Sequence, residues 1–284
     1  MKQSGSPVAG PTLEFNIRPQ SRSIALLFAL LWIGSSAFAQ EASPALAALR
    51  SAVKGAASAQ ANGSALFQVS TLDALSSGIY NGSYTVGQLK KQGDFGLGTY
   101  DGLDGEMIAL DGKFYHMRST GVLSVAADDE IAPWAAVTHF TGGVRFTVNA
   151  VTMAQLSSMI DAVLPSKNFF YAIRIHGTFS AMTTRAIPMQ FLPYLPLTQL
   201  VPTQIMFNSA NIAGTLVDIR SPAYVAGINQ LGHHYHFVSD DFKMGGHSLS
   251  FTTGPVTVEI QTLRRYSIWL PDDEPFTAVT LPIQ

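Results

Sequence analysis

The sequence predicts a strand-rich α+β fold, with mixed or antiparallel sheets in two closely packed subdomains and a few short helices. Three observations carry that reading. Glycine and proline are frequent, at 24 and 15 of 284 residues, and they punctuate short apolar runs. Several of those runs alternate apolar and polar residues, as half-buried strands do. Asp111-Gly112 separates two of them, 105–110 and 113–118, which is a strong signal for a type I′ hairpin.

The chain opens on a processing signal. Residues 1–23 carry Lys2, Arg18 and Arg22 against Glu14; an apolar run follows from Ile24 to Ile33, then Ala37-Phe38-Ala39. A basic start, a short apolar run and an A-x-A site read as a secretory signal peptide over residues 1–39, cleaved before Gln40. An apolar run of about ten residues covers roughly 15 Å as a helix, half of a bilayer core. It is too short to be a membrane anchor, so the cleaved protein is expected to be exported, periplasmic or secreted, and free of membrane.

Residues 40–64 are rich in Ala, Ser and Gly and read as a short helix or loose linker outside the core. An N-terminal α/β subdomain over 65–165 begins with the alternation Leu66–Leu72. Thr85–Lys91 is a short helix candidate ended by Gly93. Thr152-Met-Ala-Gln155 is a capping box ahead of Leu156, Met159, Ile160 and Val163, and Pro165 stops that helix. A C-terminal β-rich subdomain over 166–284 follows. Its expected strands are Phe169–Ile175, Gly177–Ser180, His234–Val238, His247–Thr252 and Val256–Trp269. Ser221-Pro222 is expected to start a short helix that Gly232 caps.

Composition removes several function classes. The formal charge is −2 and no block of Lys or Arg exists, so a nucleic-acid partner is not expected. There is no cysteine, which excludes disulfides, thiolate metal sites and cysteine nucleophiles. The Gly-rich stretch Gly93–Glu106 lacks both G-x-G-x-x-G and G-x-x-x-x-G-K, so its glycines read as tight turns or close backbone approach.

The segment Gly232–His247 carries the chemistry. On a strand, His234 and His236 share a face about 7 Å apart, while His233 points the other way. Ser239–Gly246 can turn the chain back and bring His247 alongside. Three imidazoles meeting at one point suit Zn²⁺, with a further position left for substrate. Ordinary hydrogen-bonded histidines, a zinc hydrolase and a non-catalytic metal- or ligand-binding protein remain alternatives at this point. The chain has no H-E-x-x-H and no G-x-S-x-G.

Over residues 65–270 the chain resembles the acetolactate decarboxylase family. The matching stretches are Phe67-Gln-Val-Ser-Thr-Leu72, Gly93-Asp-Phe-Gly-Leu-Gly-Thr99, Leu103-Asp-Gly-Glu106, Phe179-Ser180 through Thr184-Arg185 with Pro188 and Pro193-Tyr194, and Gly232 through His247. The resemblance implies Zn²⁺ on His234, His236 and His247, with Glu106 and Arg185 facing it as catalytic residues. It implies decarboxylation of 2-acetolactate, a small 2-hydroxy-3-keto acid, to acetoin and CO₂. Zn²⁺ would act as the Lewis acid that stabilises the enediolate, and no organic cofactor would be needed. A homodimer is left open. Two departures stand out: no glutamate follows Glu274 in the tail, where the family places one near the metal, and His176 stands where an Asp is expected. N-terminal sequencing of the exported protein should begin at Gln40; an intact Met1 on cytoplasmic protein would contradict the leader.

Overall fold

The structure is a computed structural model that describes residues 15–17, 24–26, 44–59 and 65–281. Near the start of the chain, β1 (Phe15–Ile17) and β2 (Ile24–Leu26) pair antiparallel. The Ala37-Phe38-Ala39 site lies outside the described residues, as does the rest of the apolar run. No helix among the described residues is long and apolar enough to cross a membrane.

Two sheets dominate. The larger joins β3 (Ala65–Val69), β5 (Phe95–Gly98), β6 (Glu106–Leu110), β7 (Lys113–Met117), β8 (Leu123–Val125), β10 (Ala135–Thr138) and β16 (Arg265–Trp269) in the order β16-β3-β10-β5-β6-β7-β8. Its pairs are antiparallel except β16 with β3, which makes the sheet mixed. The second joins β11 (Val144–Val148), β12 (Phe170–Ala186), β13 (Ile205–Ser221), β14 (Gly232–Ser239) and β15 (Gly245–Leu263) in the order β11-β15-β12-β13-β14. A short β14–β15 pairing closes one end of it. A two-stranded piece, β4 (Tyr84–Thr85) with β9 (Ile131–Ala132), completes the set. The sheets exchange strands across residue 165: β11 joins the C-terminal sheet and β16 returns to the N-terminal one.

Local chemistry accounts for the turns. Asp111 and Gly112 both take positive φ, 52° and 77°, as a type I′ hairpin requires. A capping box at Thr152 and Gln155 starts the helix Met153–Val163, and a second at Thr85 and Gln88 starts Val86–Leu89. In β5, a Cβ on Gly96 would sit 2.2 Å from the Ala136 carbonyl, so only glycine lets β5 and β10 approach this closely. These glycines serve backbone approach, not phosphate.

Several segments differ from the sequence reading. The expected strands 169–175 and 177–180 are one 17-residue strand, because Gly177 at φ 149° lets β12 continue over Pro255 without a break. Ala223–Val225 is a single 3₁₀ turn where a short helix was expected. The stretch expected as a short helix or loose linker outside the core holds a sixteen-residue helix, Pro44–Ala59, that packs into it. Its Leu46, Leu49, Val53 and Ala56 form a helical stripe, and Leu49 and Val53 are buried with Phe146, Leu156 and Ile160. Small alanines in that stripe hide the amphipathic pattern from a composition reading.

One core lies between these helices and the second sheet, and another lies between the two sheets. Along β14, Tyr235 and Phe237 enter the first core while Val238 enters the second. That alternation turns His234 and His236 toward the space between the sheets. Leu49→Ala should lower stability by about 2–5 kcal/mol if the first helix is part of the core. Denaturant unfolding checks this; an unchanged midpoint would make the helix an appendage.

Candidate metal centre

Adjacent strands build the centre by register. Arg185 on β12 lies opposite His247 on β15, and His247 lies opposite His236 on β14. His234 stands two residues from His236 on the same face. The strands β14 and β15 pair only over 236–238 and 245–247, so they diverge beyond His236. The gap between them, closed on one side by the helix Met153–Val163, is a cavity of about 510 Å³. Arg185, His234, His247 and Ser248 line one part of it, and His233 and Ser157 another.

The nitrogens converge closely. His234 Nε2 lies 3.1 Å from His247 Nδ1, and His247 Nδ1 lies 3.3 Å from His236 Nε2. All three ligand atoms fall within 4.8 Å of one another, and they are the one such group among the described residues able to hold a metal ion. Burial, reinforced by the Arg185 charge, pushes the His234 imidazole down to about 3. Burial likewise holds His236 and His247 well below the ordinary histidine range, with their neighbouring imidazoles and Arg185 adding to it. All three are therefore neutral and offer lone pairs. The Nδ1–H of His236 donates to the Met107 carbonyl at 2.8 Å, which leaves Nε2 bare toward the centre.

Glu106 reaches the same point from the facing sheet. Gly105 precedes it at φ +67°, where a Cβ would collide with the Met117 carbonyl at 2.0 Å. That turn sets Glu106 on the Ile108 side of β6, toward β14. Its Oε1 lies 3.1 Å from Arg185 Nη1 and its Oε2 lies 3.5 Å from His236 Nε2. The contact with Arg185 is an ion pair without an aligned hydrogen bond, since Nη1 has no hydrogen-bond partner. Burial pushes the Glu106 carboxyl up to about 7 against the pull of Arg185.

All five residues singled out in the sequence thus meet at one place. The two departures lie elsewhere. His176 is exposed, with Nδ1 3.1 Å from Thr215 Oγ1. Glu274 is exposed in the first turn of a short helix, Glu274–Ala278, and takes no part in the histidine group.

The sequence reading missed Asp218. It is fully buried on β13; its Oδ1 accepts from His234 N at 3.1 Å and its Oδ2 lies 2.7 Å from His233 Nδ1. The one signal for it was a lone carboxylate inside the strand-like run Thr215-Leu-Val-Asp-Ile219. Trp134 was missed as well; its ring stacks on His234 with centroids 5.8 Å apart.

Residues 66–282 match the family model described as Alpha-acetolactate decarboxylase. The chain belongs to that family. A relative from Methanosarcina mazei is 40% identical over 201 residues, 70% of each chain. One from Bacillus subtilis is 37% identical over 214 residues, 75% of this chain and 84% of the relative. Both carry the name alpha-acetolactate decarboxylase. The crystal structure of the Bacillus subtilis enzyme superposes with a TM-score of 0.74 at 36% identity, covering 76% of this chain and 92% of that one. A Staphylococcus aureus structure described as similar to alpha-acetolactate decarboxylase gives 0.75 at 32% identity, covering 77% and 94%. Membership of the alpha-acetolactate decarboxylase family makes this strand-rich α+β protein a lyase of the decarboxylase class.

His233, on the opposite face of β14, sits between Asp218 and Asp161, whose Oδ1 is 3.5 Å from His233 Nε2. Burial alone would lower its pKa, but Asp218 and Asp161 outweigh it and raise it to about 9. Its stabilisation is therefore full below the ordinary value of 6.5 and is lost as pH rises through about 9. His233→Ala should keep the three-histidine group yet cost about 1–3 kcal/mol at neutral pH, since it strips a partner from a buried carboxylate. Denaturant unfolding of both proteins should show that gap closing in alkali; a gap independent of pH would contradict the charged pair.

Proposed function

We propose that this chain decarboxylates 2-acetolactate to acetoin and CO₂, using one Zn²⁺ held by His234, His236 and His247. The observation that carries the reading is the convergence of three neutral imidazole nitrogens with Arg185 and Glu106. Tetrahedral coordination with Zn–N bonds of about 2.0–2.1 Å implies nitrogens about 3.3 Å apart. Two of the three separations, 3.1 and 3.3 Å, fit that spacing, and the third pair, His234 and His236, lies within 4.8 Å. An all-imidazole set also suits zinc better than calcium or magnesium, which favour oxygen donors.

When bound, Zn²⁺ supplies Lewis acidity toward the keto and hydroxyl oxygens of a 2-hydroxy-3-keto acid. The chain's own residues do the rest. Breaking the bond from the hydroxyl-bearing carbon to the carboxylate releases CO₂ and leaves an electron pair that delocalises onto the keto oxygen. One proton added back at that carbon gives acetoin. Arg185 has an Nη1 without a hydrogen bond, so it can donate to the substrate carboxylate and then to the oxygen that gains charge. Glu106 is buried beside Arg185 and His236, so its carboxyl is placed to carry the proton that carbon receives. Asp218 fixes the backbone of His234. Export after cleavage at Ala39 belongs to the same proposal.

Acetoin formation from 2-acetolactate by the purified chain tests it. Activity should vanish with a chelator and return with Zn²⁺. Arg185→Lys should keep its zinc and lose more than about tenfold in rate, roughly 1.4 kcal/mol of barrier, because a point charge cannot reproduce the planar fork. Full turnover by metal-free protein, or by Arg185→Lys, would overturn the assignment.

A further inference from the structure

Three residues just ahead of Glu106 take positive φ: Gly102 at 66°, Leu103 at 57° and Gly105 at 67°. Leu103 carries a Cβ, so the turn that delivers Glu106 adopts a conformation it does not favour on its own. Such a turn needs ties from outside. The Gly102 amide donates to the Tyr80 carbonyl at 2.9 Å, and the Gly105 amide to the Ile187 carbonyl at 3.0 Å. Thr99 Oγ1 donates to the Gly105 carbonyl at 2.7 Å.

The Asp104 carbonyl goes to His116 on β7, whose Nε2 lies 2.6 Å from it. His116 stands opposite Met107 in the β6–β7 register, so it lies on the face of that sheet turned away from Glu106. Its side chain is 2% exposed and stacks on Tyr100, with ring centroids 3.8 Å apart. The other ring nitrogen, Nδ1, lies 2.7 Å from Glu130 Oε2. A carbonyl and a carboxylate only accept, so His116 makes both bonds by donating from both nitrogens. Charged neighbours complete the cluster. Arg118 Nε is 3.4 Å from Asp104 Oδ2, and its Nη2 is 3.5 Å from Glu130 Oε2. The Ala127 amide donates to Glu130 Oε1 at 2.9 Å. Hydrogen bonding from His116, with the charge of Arg118, holds the Asp104 carboxyl below its ordinary value against the effect of burial. None of these residues lines the cavity.

We propose that His116 is a positioning residue for Glu106: by donating to the Asp104 carbonyl from Nε2 and to Glu130 from Nδ1, it fixes the turn that sets the Glu106 carboxyl beside Arg185 and the three histidines. It never meets the substrate. Glu130 holds the ring in place, and the ring holds the backbone two residues before Glu106. The consequence for rate rests on the role proposed above for Glu106, while the tie to the turn can be measured without it.

Two neutral variants separate the halves of the clamp. In His116→Gln the side-chain amide nitrogen falls near the place of Nε2 and keeps a donor for Asp104. In His116→Asn it falls near the place of Nδ1 and keeps a donor for Glu130 alone. Both lose the ring, so a merely structural role would make them alike. At equal zinc content, His116→Asn should lose more than about tenfold in kcat with KM nearly unchanged. His116→Gln should stay within about threefold of the wild type. Amide hydrogen exchange at 105–107 should quicken in His116→Asn and not in His116→Gln, whatever Glu106 does in the reaction. Nitrogen-15 spectra of histidine-labelled wild type should show hydrogen on both ring nitrogens of His116, a check that needs no variant to fold. Equal kcat in the two variants, exchange at 105–107 that neither changes, or a His116 ring lacking one hydrogen would overturn the proposal. Full turnover by Glu106→Gln would instead contradict the role of Glu106 and leave the exchange rates to decide the tie.

Discussion

Three imidazoles, one buried and two half-buried, that aim their lone pairs at one point repel one another, and a cation placed among them turns that repulsion into binding. The rest of the centre follows from this constraint. The rings must be neutral, and burial keeps them so, with His234 down near 3. Their bare nitrogens must face inward, and the Met107 carbonyl accepts the single ring N–H of His236, at Nδ1. Arg185 adds to the same effect, since its fixed charge opposes protonation of all three rings. Glu106 then offsets part of the positive charge that Arg185 and a metal would concentrate there.

The backbone meets the constraint through register. Neighbouring antiparallel strands place opposite residues side by side, so Arg185, His247 and His236 form a row across β12, β15 and β14. The divergence of β14 from β15 opens that row to a cavity on one side. On the other, the facing sheet delivers Glu106 through the turn at Gly105. Asp218 ties the two faces of β14 together, because one carboxylate holds the backbone of His234 and the side chain of His233. A site assembled this way needs no long helix and no disulfide; it needs two sheets that pack closely, which the glycines of β5 and the exchange of β11 and β16 help to provide.

Much of this was legible in the sequence wherever the signal was local. Asp111-Gly112 announced its hairpin because few residues other than Gly and Asn/Asp tolerate positive φ. The box at Thr152 and Gln155 announced its helix because it satisfies two orphan amides at once. The pattern His234-x-His236 with His247 beyond a turn was readable because a strand has period two. What escaped depended on distant partners. The helix Pro44–Ala59 reads as a short helix or loose linker outside the core until Leu49 and Val53 meet Phe146. Asp218 reads as an oddity until β13 lies beside β14. Gly177 reads as a strand break until Pro255 is seen crossing it. The pairing of Glu106 with Arg185 joins residues from different sheets, and no local pattern encodes that.

The most direct measurement is X-ray absorption at the zinc edge on the purified chain, read beside its His236→Ala variant. The account predicts one zinc per chain with three imidazole nitrogens at about 2.0–2.1 Å, and loss of one of those nitrogens, or of the zinc itself, in the variant. A zinc surrounded mainly by oxygen, or a shell unchanged when His236 is removed, would contradict it.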